Sequence, residues 1–332
     1  MMDSNNFRTI LPHIESKVSI QHEDKIVLFG SCFSEHIAER LGLHKFQILK
    51  NPFGILYHPA AIANAVHETI TKKVYSIEDL TQHNELFHSW NHHSQFSGLD
   101  QDLVLDKINI EIKKAHVHLK KAKYLVVTFG SAWAYQLISN HRLVANCHKY
   151  PNTQFQKRLT SVDAIVEQWS NLLISLNQFN SNLNIIFTIS PVRHLRDGFR
   201  ENQWSKSVLH IAVQQLQQQH HQLNYFPAYE LIIDDLRDYR FFEQDMVHPN
   251  SLAIDYVWER FSSTYFNNTT KELNKQIIQF IRASSHRPFQ PKSEAHQKFV
   301  KKQIALISQL VQTKKFLDFG FELEKLQSQL VQ

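Results

Sequence analysis

Two cysteines, Cys32 and Cys147, are the whole thiol content of 332 residues, which excludes the disulfide framework of a small secreted domain. Glycine is equally scarce at 7 residues, so each one present is expected where the backbone has a specific need. No window approaches the roughly 18 consecutive apolar residues of a membrane-spanning helix, and no membrane partner is implied. The opening stretch MMDSNNFRTILPHIESK has neither a basic n-region nor an uninterrupted apolar h-region. A secretory leader is therefore not expected, and a cytoplasmic, reducing compartment is. What the chain does hold is 42% hydrophobic residues and 23 phenylalanines. That is ample for a large core, in one elaborated α/β domain or in a domain with an appendage.

Positive charge is in modest excess, +5 overall, and much of it sits late. Arg282, Arg287, Lys292, Lys298, Lys301, Lys302, Lys314 and Lys315 are interrupted by a single acid, Glu294. A polyanion footprint has this composition. Val300, Ile304, Ile307 and Val311 recur between the charges at helical spacing, however, and the solvated face of an amphipathic helix is the better account. Nucleic acid is not the expected partner.

Four short apolar runs read as strands, 25–31, 46–51, 124–130 and 184–190, and 224–233 contains a fifth strand. Runs of this kind are covered on both faces. Between them lie amphipathic helices. Thr160 and Ser161 are cap candidates for one whose stripe is Val162, Ile165, Val166, Trp169, Leu172, Leu173 and Leu176. Trp204, Val208, Ile211 and Ala212 mark another, and Ile254, Val257, Trp258 and Phe261 a third. Strands joined by helical crossovers predict a three-layer α/β/α sandwich on a mainly parallel five-stranded sheet.

Functional loops of such a sheet gather at the carboxyl ends of its strands. The stretch KIVLFGSCFSEHIAERLG puts Ser31 at one of those ends, with Ser34 as a cap candidate for the following helix and Gly42 as its left-handed stop. A hydroxyl there lies against the helix N-terminus, where amides and the macrodipole favour an oxyanion. It needs a base. FFEQDMVHPNSLAIDYVWERF supplies one, because Asp245 and His248 stand three residues apart just ahead of a helix. One turn can hold both, with the carboxylate on Nδ1 and Nε2 left for a nucleophile.

A serine after the first strand, a five-strand α/β pattern and a late D-x-x-H together resemble the SGNH, or GDSL-type, hydrolases. More closely, GSCFSE with NPFGILYHP, WNHHSQFSG, TFGSAW, VANCHK, SPVRHLRDG, NQWSK and DDLRDYRFFEQDMVHP is similar to the GSCFA-domain family, a bacterial branch related to those hydrolases. The resemblance runs from about Phe7 to Phe266. It implies Ser31 as nucleophile, His248 as general base and then acid, and Asp245 as the group that orients His248. It implies oxyanion donors at the Ser31 amide and at Gly54. The related hydrolases carry an asparagine after a G-x at the end of the third strand, where this chain has Gly130-Ser131-Ala132. Losing one such donor costs about 10²–10³ in rate, so a replacement is expected. Asn146 is the first candidate, with Trp133 and His92 behind it. By resemblance the substrate is a small acyl ester on a carbohydrate or similar metabolite, with no cofactor and no metal. An acyltransferase would use the same residues. A non-catalytic binding protein with a basic tail is the competing class.

Other polar groups have plainer readings. His83, His88, His92 and His93 lack the cysteine or carboxylate partners of a zinc site and are expected on a substrate wall or the surface. Arg193 and His194 follow the fourth strand and are expected at the cleft, Arg193 either on an anionic part of substrate or in a salt bridge to Asp197 or the Asp234-Asp235 pair. Asn202 reads as a helix N-cap and Cys147 as a small buried residue. Cys32 beside Ser31 is a rival nucleophile if its pKa is lowered, although the triad register favours Ser31.

The expected division is a hydrolase-like domain over 1–268 and a helical extension over 269–332. Leu273, Ile277, Ile278 and Ile281 form one stripe of the extension, Pro288 and Pro291 break it, and Phe316, Phe319 and Phe321 prolong its apolar surface. Such a stripe is buried against the domain or against a second copy of the chain. The second helix is free to reach away from the body.

Overall fold

Runs of Val, Ile, Leu and Phe without polar alternation need cover on both faces, and they receive it in the structure, a computed structural model that describes residues 9–331. Phe7, where the family resemblance begins, and the first part of the stretch read for a leader lie outside the described residues. The strands of the main sheet are β1 (Lys25–Gly30), β2 (Gln47–Lys50), β3 (Tyr124–Phe129), β4 (Asn184–Ile189) and β5 (Asn224–Phe226). All neighbours pair in parallel, in the order β2-β1-β3-β4-β5.

Alternate side chains of β1 feed two cores. Val27 and Phe29 face a cluster shared with Ile62 and Val66 of α2 (Pro59–Thr71), Ile108 and Ile112 of α3 (Gln101–Lys120), Trp169 of α4 (Val162–Phe179) and Leu209 of α5 (Phe199–Gln219). Ile26 and Leu28 face Ile37 and Leu41 of α1 (Cys32–Leu43) and Val257 and Phe261 of α6 (Ser251–Tyr265). The result is the three-layer α/β/α sandwich.

Several local expectations give way. Ser31, not Ser34, is the N-cap of α1, and the left-handed residue after that helix is Lys45 (φ 62°), not Gly42. Ser161, not Thr160, caps α4, accepting from the Ala164 amide at 3.3 Å. In α5 the buried face is Asn202, Ser205, Lys206, Leu209, Ala212 and Val213, while Trp204 and Ile211 are exposed; aromatic and β-branched residues misled the stripe reading, and three polar residues take part in the real one. Asn202 lies in the first turn of α5, inside the helix that Gly198 caps. After β5 the chain leaves the sheet at once, passing through a helical turn and the π-helical Leu231–Leu236.

Two small sheets escaped the sequence reading. Trp133–Leu137 pairs antiparallel with Leu143–Val144 and Phe155–Leu159, and Thr81–His83 pairs with Leu86–His88. The first carries its own core of Trp90, Leu137, Val144 and Phe155.

The chain ends in α7 (Asn268–Ser285), α8 (Glu294–Thr313) and α9 (Gly320–Gln327), with Pro288 and Pro291 between the first two. Leu273, Ile277 and Phe280 pack with Val300, Ile307, Phe319 and Leu326 in a separate cluster. The helix α8 therefore folds back on its neighbours instead of reaching away, and Phe321 is left exposed. The Lys45 ammonium holds both Glu322 oxygens at 2.8 Å, and His22 Nε2 meets Asn274 Oδ1 at 2.9 Å. Residues 22 and 45 lead into β1 and β2, so these contacts lie at the amino ends of the strands.

Candidate active site

In this strand order the connections leave β1 and β3 toward opposite faces, which opens a crevice between their carboxyl ends. Ser31 stands at that point. Gly30, with φ +150°, would place a Cβ 2.4 Å from the Thr128 carbonyl oxygen of β3, so only glycine lets the two strands close up ahead of the serine. On the far side, a Cβ on Gly130 would lie 3.3 Å from Ser31 Cβ and 3.1 Å from the Tyr57 ring. Ser31 is fully buried, and among the described residues its Oγ has no hydrogen-bond partner. Its amide reaches the Thr128 carbonyl at a long 3.3 Å.

The turn is braced by a residue that sequence reasoning passed over. Asn51, at φ 41°, directs Oδ1 to the Gly30 amide (2.9 Å) and donates Nδ2 to Ser34 Oγ (3.2 Å) and Glu35 Oε1 (3.3 Å). The Ser34 hydroxyl in turn donates to the Ser31 carbonyl at 2.7 Å. An asparagine tolerates this left-handed backbone. Gly54 of the NPFG motif sits at φ +78°, where a Cβ would fall 2.3 Å from His93 Cβ. Its amide donates to Asn51 O at 2.7 Å, so the hydrogen assigned to an oxyanion is engaged in this turn.

Asp245 and His248 come together as their spacing predicts. His248 Nδ1 donates to Asp245 Oδ2 at 2.6 Å, while Asp245 Oδ1 accepts the amides of Val247 (2.8 Å) and His248 (3.0 Å). These bonds, the His248 amide first and its ring next, hold the Asp245 carboxyl down at about 2. A carboxylate can only accept, so Nδ1 carries the proton and Nε2 of the neutral ring is free to take one. Both side chains are about half exposed, at 50% and 45%. A charge on His248 adds to burial in lowering the pKa of His36 of α1 and of His194 after β4. A groove of about 450 Å³ runs between α1 and α6, lined by polar His36, Glu39, Arg40 and Glu243 and by apolar Leu43 and Ile254.

Arg193 serves the dyad's loop. Its guanidinium donates to the Met246 carbonyl and lies over the rings of Phe242 (4.9 Å) and Tyr239 (5.3 Å). The salt bridge expected with Asp197 is made instead by Lys157. His194 stands edge-on to Tyr57 at 5.4 Å, with a buried Nε2 that has no partner; burial, with Lys206 and His248 adding to it, lowers its pKa to about 3. Asn202 fixes the His194 amide through Oδ1 at 2.9 Å.

The remaining candidates are engaged elsewhere. Asn146 accepts the His148 amide at 2.8 Å, and no hydrogen bond of its side chain reaches the Ser31 turn. Trp133 donates Nε1 to the Glu201 carbonyl at 3.1 Å, beneath the Lys157 ammonium. His92 is wholly buried, stacked on Phe53 at 4.5 Å and bonded to Ser89 Oγ at 3.0 Å. His88, also buried, stacks on His148 at 4.4 Å, so neither ring is on the surface. Cys147 is half-buried against the small core. Burial raises the Cys32 pKa, against the pull of the Phe33 and Cys32 amides, which is the reverse of an activated thiol.

The sequence matches the model of the GSCFA family over residues 25–261 and that of the GSCFA domain protein, C-terminal domain, over residues 277–332. Among curated proteins none matches the chain. Solved structures with a likeness to it include a carbohydrate esterase family 3 from Talaromyces cellulolyticus (9% identity, TM-score 0.33, covering 77% of this chain and 99% of that one). Others are the lipase Lip_vut3 from a goat rumen metagenome (10%, 0.34, 74% and 99%) and an acetyl xylan esterase, Est2A, from Butyrivibrio proteoclasticus (9%, 0.37, 77% and 65%). At TM-scores of this size the likenesses carry no weight for mechanism.

Proposed function

The chain belongs to the GSCFA family, and from that premise and the geometry of its crevice we propose that it is a serine esterase acting on small acyl esters of carbohydrates or similar metabolites. The observation that carries the reading is the 2.6 Å bond from His248 Nδ1 to Asp245. A histidine held in that tautomer by an ionised carboxylate is a general base with its other nitrogen available. Ser31 is the nucleophile. As the hydroxyl adds to the ester carbonyl, its proton passes to His248 Nε2 and the carbonyl oxygen becomes an oxyanion. The oxyanion gathers at the N-terminus of α1, where the Cys32 amide and the helix dipole favour negative charge and the Ser31 amide turns to it from its long bond to Thr128. His248 then returns the proton to the leaving alcohol, and water resolves the acyl-enzyme by the same route in reverse.

The Ser31–His248 bond closes when substrate enters, as is common for catalytic contacts that are loose in the free enzyme. The half-exposed dyad leaves water a path to the acyl-enzyme, which favours hydrolysis over transfer to a second alcohol. Polar side chains of the groove between α1 and α6 suit a hydroxylated alcohol moiety. The last three helices, docked at the amino ends of the strands, serve packing or assembly.

The test is release of acetate from p-nitrophenyl acetate and from an acetylated monosaccharide. Wild type turns over both, whereas Ser31→Ala and His248→Ala lose activity by orders of magnitude. A Ser31→Ala variant with wild-type turnover would overturn the assignment.

A further inference from the structure

The NQWSK block takes no part in the triad, yet three of its side chains stand at i, i+3 and i+4 on the buried face of α5 and all serve strand ends. Asn202 fixes the His194 amide after β4. Ser205 Oγ accepts the Ala132 amide at 2.7 Å. Lys206 Nζ donates to the carbonyls of Gly130, after β3, and Ser190, after β4, both at 2.7 Å.

Lys206 is 1% exposed, and among the described residues no carboxylate pairs with it. Two carbonyls need only a neutral donor. Burying an ammonium without a counter-ion is far more costly, so a charge kept at this position needs a use. The Gly130 peptide that Lys206 holds is the one against which Ser31 packs. The amides around it are already taken: Gly130 and Ser131 donate to the Tyr57 carbonyl at 2.8 and 3.1 Å, and Ala132 donates to Ser205. The third-strand turn thus has neither an asparagine nor a free amide to offer an oxyanion.

We propose that Lys206 is a positioning residue of the acyl-transfer site, whose buried ammonium clamps the Gly130 wall beside Ser31 and sets a positive potential where the oxyanion forms. It compensates for the side-chain donor that Ala132 lacks. The groups facing it are Cys32 of α1, His194 after β4, His210 of its own helix and the Tyr229 ring, 5.9 Å away, after β5. Burial lowers its pKa to about 7, with Cys32 pushing the other way. The charge is accordingly present below that pH and lost above it.

The inference rests on the serine-esterase reading, and one experiment separates the two: kcat/KM for p-nitrophenyl acetate as a function of pH, for wild type, Lys206→Met and Lys206→Arg. Wild type falls above about pH 7 as Lys206 loses its proton. Lys206→Met is about 10–100-fold slower at pH 6.5, lacks the alkaline fall, and converges with wild type at high pH. Lys206→Arg keeps its charge and shows no fall. Should either variant fail to fold, the Lys206 13Cε resonance of wild type decides, because it must titrate at the midpoint of the alkaline limb. A neutral amine still has two hydrogens for two carbonyls, so a purely structural clamp leaves wild type flat above pH 7. A flat profile, or Lys206→Met equal to wild type at pH 6.5, would overturn the proposal and leave the esterase standing. No turnover by wild type at any pH would overturn both.

Discussion

At the scale of single residues, the account turns on which atoms hold protons. Asp245 receives three hydrogen bonds from its own turn, and its carboxyl sits at about 2, so it is ionised near neutral pH. Asp245→Asn removes that fixed acceptor and lets Nδ1 become the unprotonated nitrogen, which turns a proton toward the nucleophile. We expect kcat to fall by about 10⁴, the loss seen for the analogous change in a serine protease, with the fold intact by circular dichroism. Turnover within a few-fold of wild type would remove Asp245 from the mechanism. The D-x-x-H pair was legible in the sequence because both partners lie within one turn, where spacing alone fixes who meets whom. Arg193 was legible as a cleft residue but not in its role. Its partners, Met246, Phe242 and Tyr239, come from a loop whose approach depends on the whole sheet order.

At the scale of elements, the inner strands β1, β3 and β4 were readable because buried parallel strands have no polar alternation to confuse with anything else. The small sheets were not. Phe155–Leu159 alternates buried and exposed residues over only five positions, too few to outweigh the loop-like residues on either side. The face of α5 was misread for a related reason: Ser205 and Lys206 are buried by what they bond to, and periodicity counts only apolar residues. Asn51 belongs to the same class, since nothing in NPFG announces that its side chain braces the end of β1. Asn51→Ala would leave the buried Gly30 amide without its partner and release Ser34 and Glu35. We expect a loss of about 1–3 kcal/mol in urea unfolding, together with reduced kcat as the Ser31 turn loosens. Unchanged stability would show that the Asn51 network carries no load.

At the scale of the molecule, the proposed site and the last three helices lie at opposite ends of the strands. The crevice opens at the carboxyl ends, and α7 to α9 dock at the amino ends through Asn274 and Glu322. A six-residue strand spans about 20 Å, so the two ends do not touch. Truncation after Arg287 strips α7 of the helices that cover Leu273, Ile277 and Phe280. We expect lower solubility or a changed mass by light scattering, while the protein that stays in solution remains active. A soluble truncation of unchanged mass and no activity would mean that the extension completes the site. The central claim, that Ser31 is an activated nucleophile, is tested most directly by treating the full chain with a fluorophosphonate and locating the adduct by peptide mass mapping. The account predicts one adduct on Ser31, kept in Cys32→Ala and lost in Ser31→Ala and His248→Ala. An adduct on Cys32, or none on the folded wild-type protein, would contradict it.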